Sequence, residues 1–180
     1  LNRDKHPNKM FFSYANTVAT IDFAKQFKGH GWVGIRYQLD ASQEYNEIII
    51  HIRFKEMDAR LQQETLGVLG VNLIYGAYYK YNDPKKLLRY LYDHLDKDQL
   101  EIDTINFSGP LFADVDNRLM SLQLVKNGMT DAVMFNPDGN NILSASILYK
   151  KNILALRGSF RPVTKVNIDM YEKSYKMFIE

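Results

Sequence analysis

Two arginines, a glycine and a serine close a short apolar run at Ile153-Leu154-Ala155-Leu156-Arg157-Gly158-Ser159-Phe160-Arg161. Guanidinium groups at Arg157 and Arg161 would grip a phosphate or carboxylate with forked hydrogen bonds. Gly158 would let the backbone approach such an anion, and Ser159 would add a donor. A structural reading stands beside it: both arginines pair with acids of the domain and Ser159 caps the turn, since Pro162 and Thr164 already look like the start of a helix.

Two further polar loops follow strand-like runs. Asn106-Phe107-Ser108-Gly109-Pro110 continues to Asp114-Val115-Asp116-Asn117-Arg118. Asn106 and Ser108 offer polar contacts, and Asp114 or Asp116 offers the oxygen ligands that magnesium takes beside a phosphate. Either aspartate would serve equally as the N-cap of the helix that follows. Asn136-Pro137-Asp138-Gly139 has the composition of a turn, with Asp138 placed to face a ligand. In Gly29-His30-Gly31-Trp32 the flanking glycines would leave the imidazole open for proton transfer or for contact with phosphate. An ordinary structural or solvated loop histidine is the competing reading of His30. His51 would share a strand face with Arg36 and Arg53. No zinc-type spacing, nucleophile elbow, P-loop or dinucleotide fingerprint occurs.

Periodicity supplies the elements that must position these groups. Val33, Ile35, Tyr37 and Leu39 alternate with polar or small residues, as do Ile48, Ile50, Ile52 and Phe54. They predict a hairpin joined by residues 40–46, with residues 10–15 as a further strand. Leu61, Leu66, Leu69, Leu73 and Ile74 have helical spacing over residues 59–79, although Gly67, Gly70 and Gly76 each cost about 1 kcal/mol there relative to alanine. Close packing against a neighbour is the preferred explanation. Asp83 and Pro84 read as N-cap and first residue of a second amphipathic helix that runs through Leu87, Leu88, Leu91 and Leu95.

Strands over 101–107, 131–135 and 153–156 then alternate with helical segments over 116–126, 144–149 and 165–179. That order predicts parallel βαβ crossovers. The expected fold is therefore α/β: a mostly parallel sheet with flanking helices, Rossmann-like and three-layered, extended by the N-terminal antiparallel hairpin, in one domain over residues 1–180. The three loops would gather at the carboxyl edge of that sheet.

Composition bounds the partners. The 180 residues carry a formal charge of +2 with acids and bases interspersed, which points away from nucleic acid. Cysteine is absent, so disulfides and thiolate chemistry are excluded. No apolar run is long enough to cross a bilayer and no signal-peptide pattern is present, so the expectation is a cytoplasmic protein without a membrane partner. Leu1 and the polar residues after it suggest part of a longer chain.

Gly29-His-Gly-Trp-Val-Gly-Ile-Arg36, Leu66-Gly-Val-Leu-Gly-Val-Asn-Leu-Ile-Tyr-Gly-Ala77, Val115-Asp-Asn-Arg-Leu-Met120 and Arg157-Gly-Ser-Phe-Arg-Pro-Val-Thr164 together resemble a bacterial family of longer proteins. Its members are labelled either nicotinate-nucleotide adenylyltransferase or TonB-dependent receptor. The receptor label implies a membrane barrel, which this helix-rich pattern does not fit. The transferase label implies an α/β nucleotide site, yet the His-x-Gly-His motif of that class is missing, since Gly29-His30-Gly31 holds one histidine and precedes a strand.

The functional expectation is accordingly a domain for an anionic small molecule or nucleotide, an enzyme of the nucleotidyl-transfer type if catalytic. Arg157, Gly158, Ser159, Arg161, Asn106, Ser108 and Asp138 would hold the ligand. His30 would act on the phosphates, and Asp114 or Asp116 would place magnesium. The alternative is a non-catalytic ligand-binding or assembly domain that meets a second copy or further segments of its own chain.

Overall fold

The computed structural model describes residues 2–25 and 27–180. It divides into two compact units, Leu1–Leu143 and Ser144–Glu180.

The first unit is built on an antiparallel sheet of four strands in the order β1 (Phe12–Ala19), β2 (His30–Tyr37), β3 (Asn46–Phe54) and β4 (Leu100–Ser108). Between β3 and β4 the chain forms α1 (Ala59–Tyr79) and α2 (Pro84–Tyr90), and after β4 it forms α3 (Asn117–Lys126). Asp58, Asp83 and Asp116 cap these helices through their carboxylates. Each such cap contributes about 0.5–2 kcal/mol. A small hairpin, β5 (Met134–Phe135) with β6 (Asn141–Ile142), closes the unit.

Alternation divides the sheet into two faces. Val33, Ile35, Tyr37, Ile48, Ile50, Ile52, Phe54, Leu100, Ile102, Ile105 and Phe107 point to one side and share a core with Leu69, Leu73, Leu87, Leu88 and Leu124 of the helices. Gly70 and Gly76 permit this packing: an added Cβ would lie 2.7 Å from the Tyr14 hydroxyl at the first and 3.3 Å from Leu87 at the second. Gly67 faces open space.

The parallel, Rossmann-like sheet expected from the sequence is not what forms; every pairing is antiparallel. The reason is visible in β4, whose inward Ile102, Ile105 and Phe107 are buried while Asn106 is exposed. One covered face suits an antiparallel strand, whereas parallel strands are covered on both. Among the described residues the outer edge of β4 takes no further strand. Ile102 N–H donates to Met129 O, and the Asn117 side chain bridges Phe107 N–H and C=O at 2.8 and 3.0 Å. The expected strand 131–135 shrinks to two residues, and residues 153–156 form none. Among the described residues there is then no carboxyl edge of a parallel sheet for the three loops to share, and the Rossmann-like framework on which the nucleotide expectation rested is not the one that forms.

The second unit holds α4 (Ser144–Leu148) and α5 (Lys165–Ile179). Thr164 and Asn167 form a reciprocal cap at the start of α5. Among the described residues no helix is long and apolar enough to cross a membrane.

Candidate functional site

The face of the sheet opposite the helices reads as a grid. Across β1 to β4 its rows are Ser13, Arg36, Glu47 and Ser108; Ala15, Gly34, Ile49 and Asn106; Thr17, Trp32, His51 and Thr104; and Ala19, His30, Arg53 and Glu101. Polar, aromatic and titratable groups thus lie on one side of a sheet whose other side is apolar.

One irregularity alters the grid. The register of β3 with β4 slips between His51 and Ile52, which pair with Thr104 and Ile102 and leave Asp103 as an extra residue. Strict alternation would send Asp103 into the core; the bulge turns it outward instead. Its Oδ1 lies 2.8 Å from His51 Nδ1 and accepts from the Thr104 hydroxyl at 3.1 Å. Arg53 Nε lies 2.9 Å from Oδ2 without the alignment of a hydrogen bond, so that contact is charge pairing. On its other side, His51 Nε2 lies 3.3 Å from His30 Nδ1. The Trp32 ring meets His51 edge-on at 4.9 Å. Asp103 and His51 are buried, while His30 is exposed. A line of polar contacts therefore runs from an enclosed carboxylate to an open imidazole.

The glycines around His30 serve the backbone. A Cβ on Gly29 would sit 2.5 Å from Gln62 Oε1 and 2.7 Å from Ala19 O, and one on Gly31 would strike the Thr17 carbonyl. Both let β1 approach closely enough to hold His30 at the head of β2.

Beside the histidines lies a hollow of about 590 Å³. Trp32, Ile49, Thr104 and Asn106 form its floor, and Asp116, Arg118, Asp138 and Asn140 rise around it. Asn141 fixes the β5–β6 hairpin against this edge by donating to Ile105 O at 3.2 Å and Asn117 O at 3.1 Å. The 136–139 loop is a turn, with Gly139 N–H donating to Asn136 O at 2.9 Å and Gly139 at φ 84°.

Asn106, Asp116 and Asp138, three residues singled out by the sequence, thus line one cavity. Asp116 is already engaged: it accepts from Arg118 N–H and takes the guanidinium at 3.1 and 2.8 Å. That guanidinium holds its carboxyl down to about 2. Asp114 is exposed outside the lining, and among the described residues no group of three His, Cys, Asp or Glu is placed to hold a metal ion. Ser108 lies in the Arg36 and Glu47 row. Arg157, Gly158, Ser159 and Arg161 are exposed in the second unit. With no strand over 153–156 they do not form a strand exit, and they precede α5.

Asp103 was not legible as a candidate, although Asp103 and Thr104 side by side between Ile102 and Ile105 break the alternation as a bulge does. No protein-family model, curated protein or solved structure matches the chain.

Proposed function

We propose that the open face of the sheet binds a small polar molecule and that His30 exchanges a proton with it. The observation that carries this reading is the run of contacts from Asp103 through His51 to His30. Asp103 fixes the proton of His51 on Nδ1, so His51 Nε2 accepts from His30 Nδ1–H. His30 is exposed, and its Nε2 is then left with a lone pair open to a ligand. Arg53 pairs with the charge of Asp103 from the side away from His51 Nδ1, through Oδ2 rather than Oδ1. When His30 takes a proton, the positive charge that develops is met through His51 by the buried carboxylate. Positioned acid–base groups of this kind contribute about 10²–10⁴-fold to a reaction.

Long-range nitrogen–proton NMR on the full chain tests the arrangement without a substrate. Both His30 and His51 are expected to carry the proton on Nδ1 at neutral pH, and Asp103→Asn is expected to redistribute it. Ethoxycarbonylation should reach His30 faster than His6 and slow in Asp103→Asn. A proton fixed on Nε2 of His51, or a His30 reactivity indifferent to Asp103, would remove the proposal.

A further inference from the structure

Gly34 is a glycine that the backbone does not need. Gly29 and Gly31 are required by the close approach of β1, but a Cβ on Gly34 would meet only Ile48 O and Ile49 Cγ1, each at an ordinary 3.5 Å. Its φ is not among the positive ones. Glycine weakens a central strand because it contributes no packing and costs conformational entropy, and it often marks where a ligand approaches closely.

Here the missing side chain shapes a trough. Ala15, Gly34 and Ile49 form a low row across three strands, and the adjoining space measures about 480 Å³. Same-face neighbours along a strand stand roughly 7 Å apart. Trp32 therefore rises on one side of Gly34 and Arg36 on the other. The Trp32 side chain is 40% exposed although it sits in an interior strand.

The Arg36 wall carries a directional polar edge. Nε and Nη2 of Arg36 both contact Oε2 of Glu47, at 2.8 and 2.6 Å. Glu47 Oε1 has no protein partner among the described residues, so an acceptor lies beside the remaining guanidinium donors. The Tyr45 ring, 4.2 Å from the guanidinium carbon, steadies that donor.

We infer that this trough binds a flat aromatic ring bearing an N–H next to a C=O, as in an aromatic lactam, with the ring over Gly34 beside Trp32 and the amide edge on Arg36 and Glu47. The inference rests on the reading of the open face as a ligand surface and names the class of molecule that surface takes. An apolar floor with one aromatic wall selects the ring, and the paired acceptor and donors select the edge. A trough of this size accommodates one or two fused rings.

Trp32 is the only tryptophan and borders both the trough and the hollow beside the histidines, so a change in its emission is assigned to the trough by Gly34→Val, since Gly34 lines the trough and not the hollow. Quinolin-2-one titrated into the full chain should change that emission saturably and bind more tightly than naphthalene, which lacks the edge, or δ-valerolactam, which lacks the ring. Gly34→Val should fold as the wild type does, because a Cβ there makes only ordinary van der Waals contacts, and should weaken quinolin-2-one by about tenfold or more. Glu47→Gln should erase the preference over naphthalene. No saturable change at millimolar probe, equal binding of naphthalene to the wild type, or wild-type affinity in Gly34→Val would overturn the inference. The histidine NMR test uses no ligand, so the proton-transfer reading fails or stands separately.

Discussion

The two faces of the four-stranded sheet are made by the same strands, yet they obey different rules. The inner face is closed and interchangeable in chemistry: isoleucine, valine, leucine and phenylalanine fill it, and their identity matters through volume. The outer face is open and particular: its rows hold one tryptophan, one asparagine, and two each of histidine, arginine and glutamate, several joined in specific pairs. A period of two residues thus separates stability from recognition within each strand.

Adjacent residues give the sharpest test of that separation. Ile50 is fully buried on the inner face, and Ile49 is half-buried on the outer. Ile50→Ala should cost about 2–5 kcal/mol in urea unfolding. Ile49→Ala should cost less, about 1–2 kcal/mol, since its side chain keeps part of its surface in water and leaves no enclosed cavity when it is cut back. Equal losses would break the comparison.

Two glycines of β2 form the next pair. Gly31→Ala forces a side chain against the β1 backbone and should destabilise by about 1–3 kcal/mol. Gly34→Ala makes only ordinary van der Waals contacts with Ile48 O and Ile49 Cγ1 and should raise stability by about 0.4–1 kcal/mol through the unfolded chain. A loss at Gly34 similar to that at Gly31 would mean that the trough belongs to the architecture.

The smallest effect lies at the rim of the hollow. Arg118 lowers the folded-state pKa of Asp116 from 3.8 to about 2. The stability this pair contributes is present above pH 3.8 and is lost as pH falls through about 2. Unfolding midpoints measured between pH 5 and pH 2, an estimated window set by those values, should decline less in Arg118→Met than in the wild type. Both side chains are solvent-facing, so the difference should be slight.

Half of the sheet was legible because its cause is local. Val33 to Tyr37 and Ile48 to Phe54 alternate cleanly, and a short polar connection between such runs leaves an antiparallel hairpin as the simple solution. Helix α1 and the start of α2 were equally plain from leucine spacing and the Asp83-Pro84 pair, whereas α2 ends at Tyr90, short of the Leu91 and Leu95 that the spacing included. Strand direction was not local. A strand followed by a helix at residues 100–126 occurs in both parallel and antiparallel folds, and the apolar residues 132–135 and 153–156 look like covered strands until their neighbours are known. Ile153 is in fact half exposed. The site divided similarly. His30 and His51 stood out by type, and Asn106, Asp116 and Asp138 by loop composition. Asp103 owes its place to pairing with β3, while Asn117 and Asn141 are spent on the edge of β4 and the turn beside it. Such roles depend on partners distant in the chain.

The slip in β4 has a consequence for how this chain can change. Because Ile52 pairs with Ile102 and His51 with Thr104, the ladder on either side of Asp103 is already continuous. Excising that one residue would join two correctly phased half-strands, inward Ile102 to outward Thr104, and return a regular sheet without its carboxylate. The acid therefore sits in the fold as a one-residue insertion, removable as a unit, and a chain lacking it would keep the scaffold while His51 and Arg53 faced each other with nothing between them.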